Sequence, residues 1–165
     1  MSSPLAASTI ARSNAGRNHD NEVVTVDHAA TMRNTYERIN AGDIAGFGDL
    51  VAADFVEHQG VAGFPATKEG TLEFFHTLLV AFPDFRMTVE DVIAGGGDKA
   101  VARVRITGTH KGEFIGVAPT ARPMDVQLID IMRFDDAGLV CEHWGVADML
   151  SLMQQLGVAP AGPPA

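Results

Sequence analysis

Asp130 and His143 are the side chains whose types and spacing are best suited to chemistry. In the stretch 122–144, alternate residues leading to Phe134 are apolar, with Asp130 as the exception, which is typical of a strand with one face in the core. If Phe134 opposes Leu139 after the turn, Asp130 opposes His143 on the same inner face. Burying a carboxylate beside an imidazole is costly. The pair is therefore a candidate for acid–base catalysis, or a buried pair that only fixes the strand register.

Two further histidines and the only tyrosine could assist that pair. His110 continues the apolar face of its own predicted strand, and His58 begins a loop that contains Gly and Pro. Either could stabilise a developing oxyanion, although a loop histidine can also be merely solvated. Tyr36 lies on the apolar stripe of the first predicted helix and could donate a hydrogen bond to a substrate or simply pack there. Asp148 either caps the last helix or contacts a ligand.

The remaining candidate contacts to a substrate are large and mostly apolar side chains near the Asp130–His143 pair. Small-molecule sites are mainly apolar, with a few polar groups that orient the ligand. The predicted contacts are Phe75, Met124, Val126, Leu128, Met132 and Trp144.

The periodicity of the sequence predicts two long helices followed by a run of antiparallel strands. Asp27 and Thr67 are in position to cap the long helices, and a short C-terminal helix follows Asp148. One strongly curved sheet wrapped around the helices is the economical way to bury these faces, and it predicts an α+β, cone-shaped barrel. The predicted helices are 27–40, 44–51, 68–82 and 149–156, and the predicted strands are 54–58, 85–93, 101–110, 124–134 and 139–144.

The chain is long enough for a single domain with a substantial core. Its first residues are rich in Ser, Ala, Asn and Arg, and its last residues are rich in Pro, Ala and Gly, which is typical of loose segments. We therefore expect a disordered tail over 1–21, one folded domain over 22–157 and a flexible tail over 158–165.

The composition favours a small-molecule partner. Twelve basic residues against 21 acidic residues give a formal charge of −9, which argues against nucleic acid or an anionic membrane surface as a partner. No apolar run approaches the roughly 18 residues of a membrane span. The single cysteine, Cys141, excludes an internal disulfide, is expected to act as a small apolar side chain, and suits a cytoplasmic location.

A set of short motifs, in a consistent order, resembles the SnoaL-like polyketide cyclases, in the ester-cyclase branch of the nuclear transport factor 2-like superfamily. The resemblance covers about residues 27–157. It is carried by Asn40-Ala-Gly-Asp43, Phe55-Val-Glu-His58, Ala81-Phe-Pro-Asp84, Gly108-Thr-His110-Lys-Gly112, Gly116-Val-Ala-Pro-Thr120, Arg133-Phe134, Glu142-His-Trp144, Asp148-Met-Leu150 and Gln155-Leu-Gly157.

The resemblance implies a cone-shaped barrel and acid–base chemistry, without a cofactor or a metal, on a bulky apolar substrate. It also implies a homodimer through the outer sheet face, which would cover Ile129 and Ile131. In the aromatic-polyketide cyclases of this family, an aspartate abstracts a proton for an intramolecular aldol closure. That aspartate is expected just after Trp144, where this chain has Gly145, and Asp130 stands where those cyclases carry a pocket histidine.

This departure leaves several functions open. Asp130 with His143 could perform cyclisation or isomerisation on a hydrophobic ketone or ester. Ring opening of an epoxide needs an acid and a water-activating base, which Asp130, His143 and Arg103 or Arg105 could supply, although both arginines are predicted on the polar face. A non-catalytic ligand-binding module is a third possibility, because this fold hosts many functions. A metal site formed by His110, Asp130 and His143 is a fourth, on donor type alone.

Overall fold

The computed structural model describes residues 27–94 and 97–160. The predicted N-terminal tail, residues 95 and 96, and residues 161–165 of the predicted C-terminal tail lie outside the described residues. Within the described part of the chain, no helix is both long and apolar enough to cross a membrane.

The fold is α+β, with one curled, mostly antiparallel five-stranded sheet and four helices, as the sequence predicts. In chain order the elements are α1 (His28–Asn40), α2 (Ile44–Gly48), β1 (Val51–Glu57), α3 (Lys68–Ala81), β2 (Arg86–Ile93), β3 (Lys99–Thr109), β4 (Pro123–Phe134), β5 (Val140–Ala147) and α4 (Met149–Leu156). The strand order is β1-β5-β4-β3-β2, and only β1 and β5 run parallel.

Each long helix begins where the sequence predicts. The Asp27 carboxylate accepts a hydrogen bond from the amide of Ala30, and the Thr67 hydroxyl accepts one from the amide of Gly70. These contacts satisfy amide groups that a helix start otherwise leaves without partners. Met32, Tyr36 and Ile39 form the buried stripe of α1, so the tyrosine is directed into the core.

Strand β4 shows the predicted alternation along its whole length. Its even-numbered residues, Asp130 included, are buried, while the odd-numbered residues are exposed or partly exposed. The apolar face of β3 is likewise buried from Ala100 to Gly108, except that Ile106 is only partly buried. These two strands share the most extensive pairing in the sheet, and their inner faces form one wall of the core.

The predicted register of the β4–β5 hairpin is wrong. Phe134 pairs with Val140, Met132 with His143, and Asp130 with Gly145. Phe134 already pairs one residue beyond the predicted Leu139, and a bulge next to it, which accommodates the buried Cys141, shifts the later pairs by one residue more. The Cys141 thiol donates to the carbonyl of Arg133. A bulge shifts all later pairs along the strand, yet His143 still projects from the inner face.

The inward-facing positions of β2 change in the second half of the strand. A register shift between Val89 and Asp91 reverses which residues face inward. Val92 packs against the core, whereas Ile93 is 68% exposed.

Candidate active site

Four side chains form a continuous hydrogen-bonded relay inside the curled sheet. Asp130 Oδ1 lies 2.9 Å from His143 Nε2, and Asp130 Oδ2 accepts a hydrogen bond of 2.8 Å from the Tyr36 hydroxyl. On its other side, His143 Nδ1 lies 2.8 Å from Glu57 Oε2. The relay therefore runs from Glu57 through His143 and Asp130 to Tyr36.

The relay depends on four separate elements. Tyr36 comes from the buried stripe of α1, Asp130 from the inner face of β4, and His143 from the inner face of β5. Glu57 ends β1, where the parallel pairing with β5 places it opposite His143. Because directly opposed residues have Cβ atoms roughly 5 Å apart, this register brings carboxylate and imidazole together.

The environment of His143 favours the imidazolium form. Burial alone would lower the pKa of His143, but hydrogen bonds to Asp130 and Glu57, together with their negative charges, outweigh burial and raise the pKa to about 10. The pKa of the Tyr36 phenol is raised far above its usual range by burial, by the charge of Asp130 and by the hydrogen bond to it. At neutral pH the site thus holds an imidazolium at His143 and a neutral phenol at Tyr36.

The relay borders a cavity of about 500 Å³, which falls within the range of small-molecule sites. Apart from the relay, the polar side chains on its walls are those of Gln59 and Thr71. The β1–α3 loop, Ile115 and the first turns of α4 also contribute to its lining. Its apolar walls include Phe47, Phe55, Phe74, Phe75, Phe85, Phe114, Met124, Val126, Leu128 and Met132.

Most of the predicted substrate contacts lie on this cavity. Tyr36, Phe75, Met124, Val126, Leu128 and Met132 all line it. The inner-face alternation of β4 and the buried stripe of α1 are what place most of these side chains there.

Trp144 and His58 do not reach the cavity, and their predicted roles there are wrong. Trp144 follows the inward-facing His143 by one residue, so it projects from the outer face. His58 stacks on the Trp144 ring with 4.5 Å between ring centroids, and its Nε2 lies 2.7 Å from Glu142 Oε2. Lys99 adds a cation over the same indole. This group is a surface cluster behind the relay.

His110 is buried but is separate from the relay. Its ring stacks against Phe82, its Nδ1 accepts a hydrogen bond from the amide of Thr120, and its Nε2 has no partner among the described residues. These contacts hold the 111–122 loop against the core, and they correct the prediction that His110 contacts substrate. The donor set His110–Asp130–His143 is not assembled, and among the described residues no group of three His, Cys, Asp or Glu side chains is arranged to hold a metal ion.

Asp148 acts as a helix cap. Its carboxylate accepts hydrogen bonds from the amide and the hydroxyl of Ser151, at 3.0 Å and 2.7 Å. It is exposed and lies outside the cavity lining, so its predicted contact with substrate is wrong.

Glu57 and Gln59 are site residues that the sequence reasoning missed. A signal for Glu57 was present, because it shares the parity of the buried Phe55 on β1 and so faces inward. Gln59 gave no such signal, since it follows the strand in a loop. Its position is fixed by a hydrogen bond of 2.8 Å, in which the backbone N–H of Gln59 donates to Glu57 Oε1.

Gly145 occupies a restricted position between these groups. A Cβ atom there would overlap Gln59 Oε1 and would lie 2.9 Å from Asp130 Oδ1. The backbone of Gly145 does not have a positive φ, so space rather than conformation favours the glycine, because a side chain here would have to displace the end of Gln59. The Gln59 amide thus fills the space that a side chain at position 145 would take.

A mostly apolar cavity inside a curled sheet, with a hydrogen-bonded acid–base relay on its wall, has the properties of a small-molecule site. A family model described as SnoaL-like polyketide cyclase matches residues 30–156. The chain belongs to the SnoaL-like polyketide cyclase family, as the motifs in the sequence predict.

Several solved structures are similar to this chain. IdmH from Streptomyces antibioticus, a candidate polyketide cyclase, is 34% identical with a TM-score of 0.69, over 80% of this chain and 99% of that one. AclR from Streptomyces galilaeus, a candidate hydroxylase, is 30% identical with a TM-score of 0.71, over 82% and 88%. TsrD from Streptomyces laurentii is 28% identical with a TM-score of 0.71, over 79% and 94%. A comparison with curated protein sequences gave no match.

Proposed function

We propose that this protein is a cofactor-independent acid–base enzyme that cyclises or isomerises a hydrophobic, polyketide-like molecule. The observation that carries the proposal is the position of Asp130, a buried carboxylate on the wall of an otherwise mostly apolar cavity. Burying a carboxylate in such a place costs free energy. A role in proton transfer within an enclosed ligand would account for that cost.

Asp130 is the proposed base. Each of its oxygens accepts one hydrogen bond, from His143 and from Tyr36, which fixes the carboxylate and leaves further lone pairs for a substrate proton. Glu57 holds the other nitrogen of His143 and so orients the imidazolium. The substrate carries its own electron sink, a carbonyl next to the carbon that loses its proton.

Epoxide opening receives no support from the arginines that it would require. Arg103 pairs with Asp91 at 2.9 Å and Arg105 with Asp125 at 2.7 Å, both on the outer face of the sheet. A non-catalytic ligand carrier would use the same cavity, so a binding measurement cannot distinguish a carrier from an enzyme. Measurement of turnover can make that distinction.

The test is proton exchange on a neutral ketone of suitable size. In deuterated buffer, the wild type is expected to accelerate the exchange of the protons next to the carbonyl of 2-tetralone, measured by NMR. Asp130→Asn should abolish the acceleration without a change in far-UV circular dichroism. The matched control is Asp54→Asn, an exposed carboxylate on β1. A wild type that binds 2-tetralone without accelerating exchange would support the carrier instead.

A homodimer through the outer face of the sheet is a second part of the proposal. Ile129 and Val146 are paired neighbours on this face and are 42% and 74% exposed. Light scattering coupled to size-exclusion chromatography tests the prediction, and Ile129→Lys is expected to yield monomers. A cytoplasmic location remains a prediction from the sequence.

A further inference from the structure

The cavity contains few groups that could donate a hydrogen bond to a substrate. Glu57 and Asp130 accept only, and both nitrogens of His143 and the hydroxyl of Tyr36 are engaged within the relay. The hydroxyl of Thr71 has no hydrogen-bond partner among the described residues, but the protein encloses it and keeps it from solvent. Removal of a proton next to a carbonyl places negative charge on the carbonyl oxygen, and such charge needs a donor.

Gln59 is the side chain on the cavity wall whose spare donor is not enclosed by protein. It is half-buried, and among the described residues its amide nitrogen has no hydrogen-bond acceptor. Its backbone is fixed through the hydrogen bond to Glu57. The side chain is therefore anchored at its base, next to the relay, while its amide N–H groups are available to a ligand.

Gly145 places the Gln59 amide beside the proposed base. The Gln59 oxygen and Asp130 Oδ1 both lie close to the point where a Cβ of residue 145 would stand. Amide and carboxylate are therefore neighbours on the same cavity wall. A ligand that presents a C–H to Asp130 would place an adjacent carbonyl oxygen within reach of the amide.

We propose that Gln59 is a catalytic residue that donates a hydrogen bond to the substrate's carbonyl oxygen, and that Gly145 keeps its place open. The inference rests on the proposed acid–base function. In the step, the C–H bond next to the carbonyl breaks and its proton forms an O–H bond on Asp130. The electron pair forms the C=C bond of an enolate, and the carbonyl π electrons move to the oxygen that Gln59 stabilises. Proton return to carbon, or attack of that carbon within the substrate, completes the reaction.

The first test measures 2-tetralone exchange in Gln59→Met, which keeps the length of the side chain and removes the donor. Loss of one oxyanion donor typically lowers kcat about 100-fold or more. We expect a loss of that order with little change in KM, because the hydrogen bond strengthens as charge develops. The control is Gln127→Met, an exposed glutamine on the outer side of β4, which should match the wild type.

A second measurement detects the hydrogen bond from Gln59 to the bound carbonyl and does not require turnover. A hydrogen bond polarises a bound carbonyl, so 2-tetralone labelled with carbon-13 at that position should show a downfield shift in the wild type and in Asp130→Asn. Gln59→Met should lose the shift. If Gln59→Met keeps both the shift and the exchange rate, the inference is overturned while the acid–base function stands. If the wild type does not exchange the protons at all, the proposed function fails.

The role assigned to Gly145 is tested by a double-mutant cycle. Gly145→Ala should displace the Gln59 amide and so lower exchange about as much as Gln59→Met. Combining the two changes should then add little further loss, since both remove the same contact. Fully multiplicative losses would contradict the role of Gly145.

Discussion

Glu57 and His143 face each other across the only parallel strand pair of the sheet, with 2.8 Å between Glu57 Oε2 and His143 Nδ1. Together with the contact to Asp130, this contact places the His143 imidazole between two carboxyl groups. The first two predictions below follow from this arrangement.

Glu57→Gln is expected to lower the pKa of His143. The variant removes one of the two negative charges and one of the two charge-assisted hydrogen bonds that raise the pKa to about 10. NMR titration of the His143 ring should show a midpoint well below that of the wild type. Glu142→Gln is the control, because Glu142 contacts His58 on the outer face. An unchanged midpoint in Glu57→Gln would show that Asp130 alone sets the pKa.

The free energy of unfolding should fall as the pH rises above neutrality. His143 has a raised pKa in the folded protein, so its contribution is fully present below about 6.5, the unfolded value, and is lost as the pH rises through about 10. Urea unfolding at pH 7, 8 and 9 should show this slope, and His143→Gln should flatten it. His58→Gln, a change at the surface, should leave the slope intact. Equal slopes in all three proteins would exclude His143 as the source.

Tyr36 should resist ionisation as long as the protein is folded. It is the only tyrosine, and burial and Asp130 raise its pKa far above the usual range. Absorbance at 295 nm, which reports tyrosinate, should therefore stay flat on titration past pH 10 and rise when the chain unfolds. The same titration in urea provides the control. A normal phenol titration in the folded state would contradict the contact with Asp130.

Tyr36→Phe tests how much the hydrogen bond between Tyr36 and Asp130 contributes to stability. The variant removes the hydroxyl that donates to Asp130 Oδ2 and leaves a buried carboxylate oxygen without that donor. A loss of about 1–3 kcal/mol in the free energy of unfolding is expected. Phe75→Leu is a comparison that changes packing on the cavity wall without a hydrogen bond. A neutral effect of Tyr36→Phe would mean that water replaces the hydroxyl.

Asp148→Ala should destabilise the protein without affecting exchange of 2-tetralone. The change removes the cap of α4, and a lost cap typically lowers the melting temperature by a few degrees in a domain of this size. Asp148→Asn should retain most of the stability because asparagine also caps helices. If Asp148→Ala lowers the exchange rate under conditions in which the variant is fully folded, Asp148 is again a candidate site residue.

Local patterns predicted much of the fold. Caps such as Asp27 and Thr67, and the alternation of β4, depend on near neighbours in sequence and follow from side-chain chemistry alone. The Asp130–His143 contact was also predicted, but through a wrong register. The two meet diagonally across β4 and β5 rather than as a directly opposed pair.

Non-local pairing is what the sequence did not reveal. The bulge beside Phe134 depends on how β5 docks, and the contact between Glu57 and His143 depends on a parallel pairing of distant strands. Trp144 is a simpler error, because its neighbour His143 faces inward and successive residues of a strand face opposite ways. The alternation of side chains along β5 is enough to place Trp144 on the outer face of the sheet.

The relay joins residues from the two halves of the chain, which bears on the order in which the protein folds. Tyr36 and Asp130 are 94 residues apart in sequence, and Glu57 and His143 are 86 apart. Contacts of such long range form late, because the intervening loop must be closed before they contribute. The buried charges therefore find their partners only when β5 is inserted between β1 and β4. An intermediate without β5 has a sheet in two pieces and an incomplete relay, so the exchange activity proposed for this site should recover only in the last step of refolding.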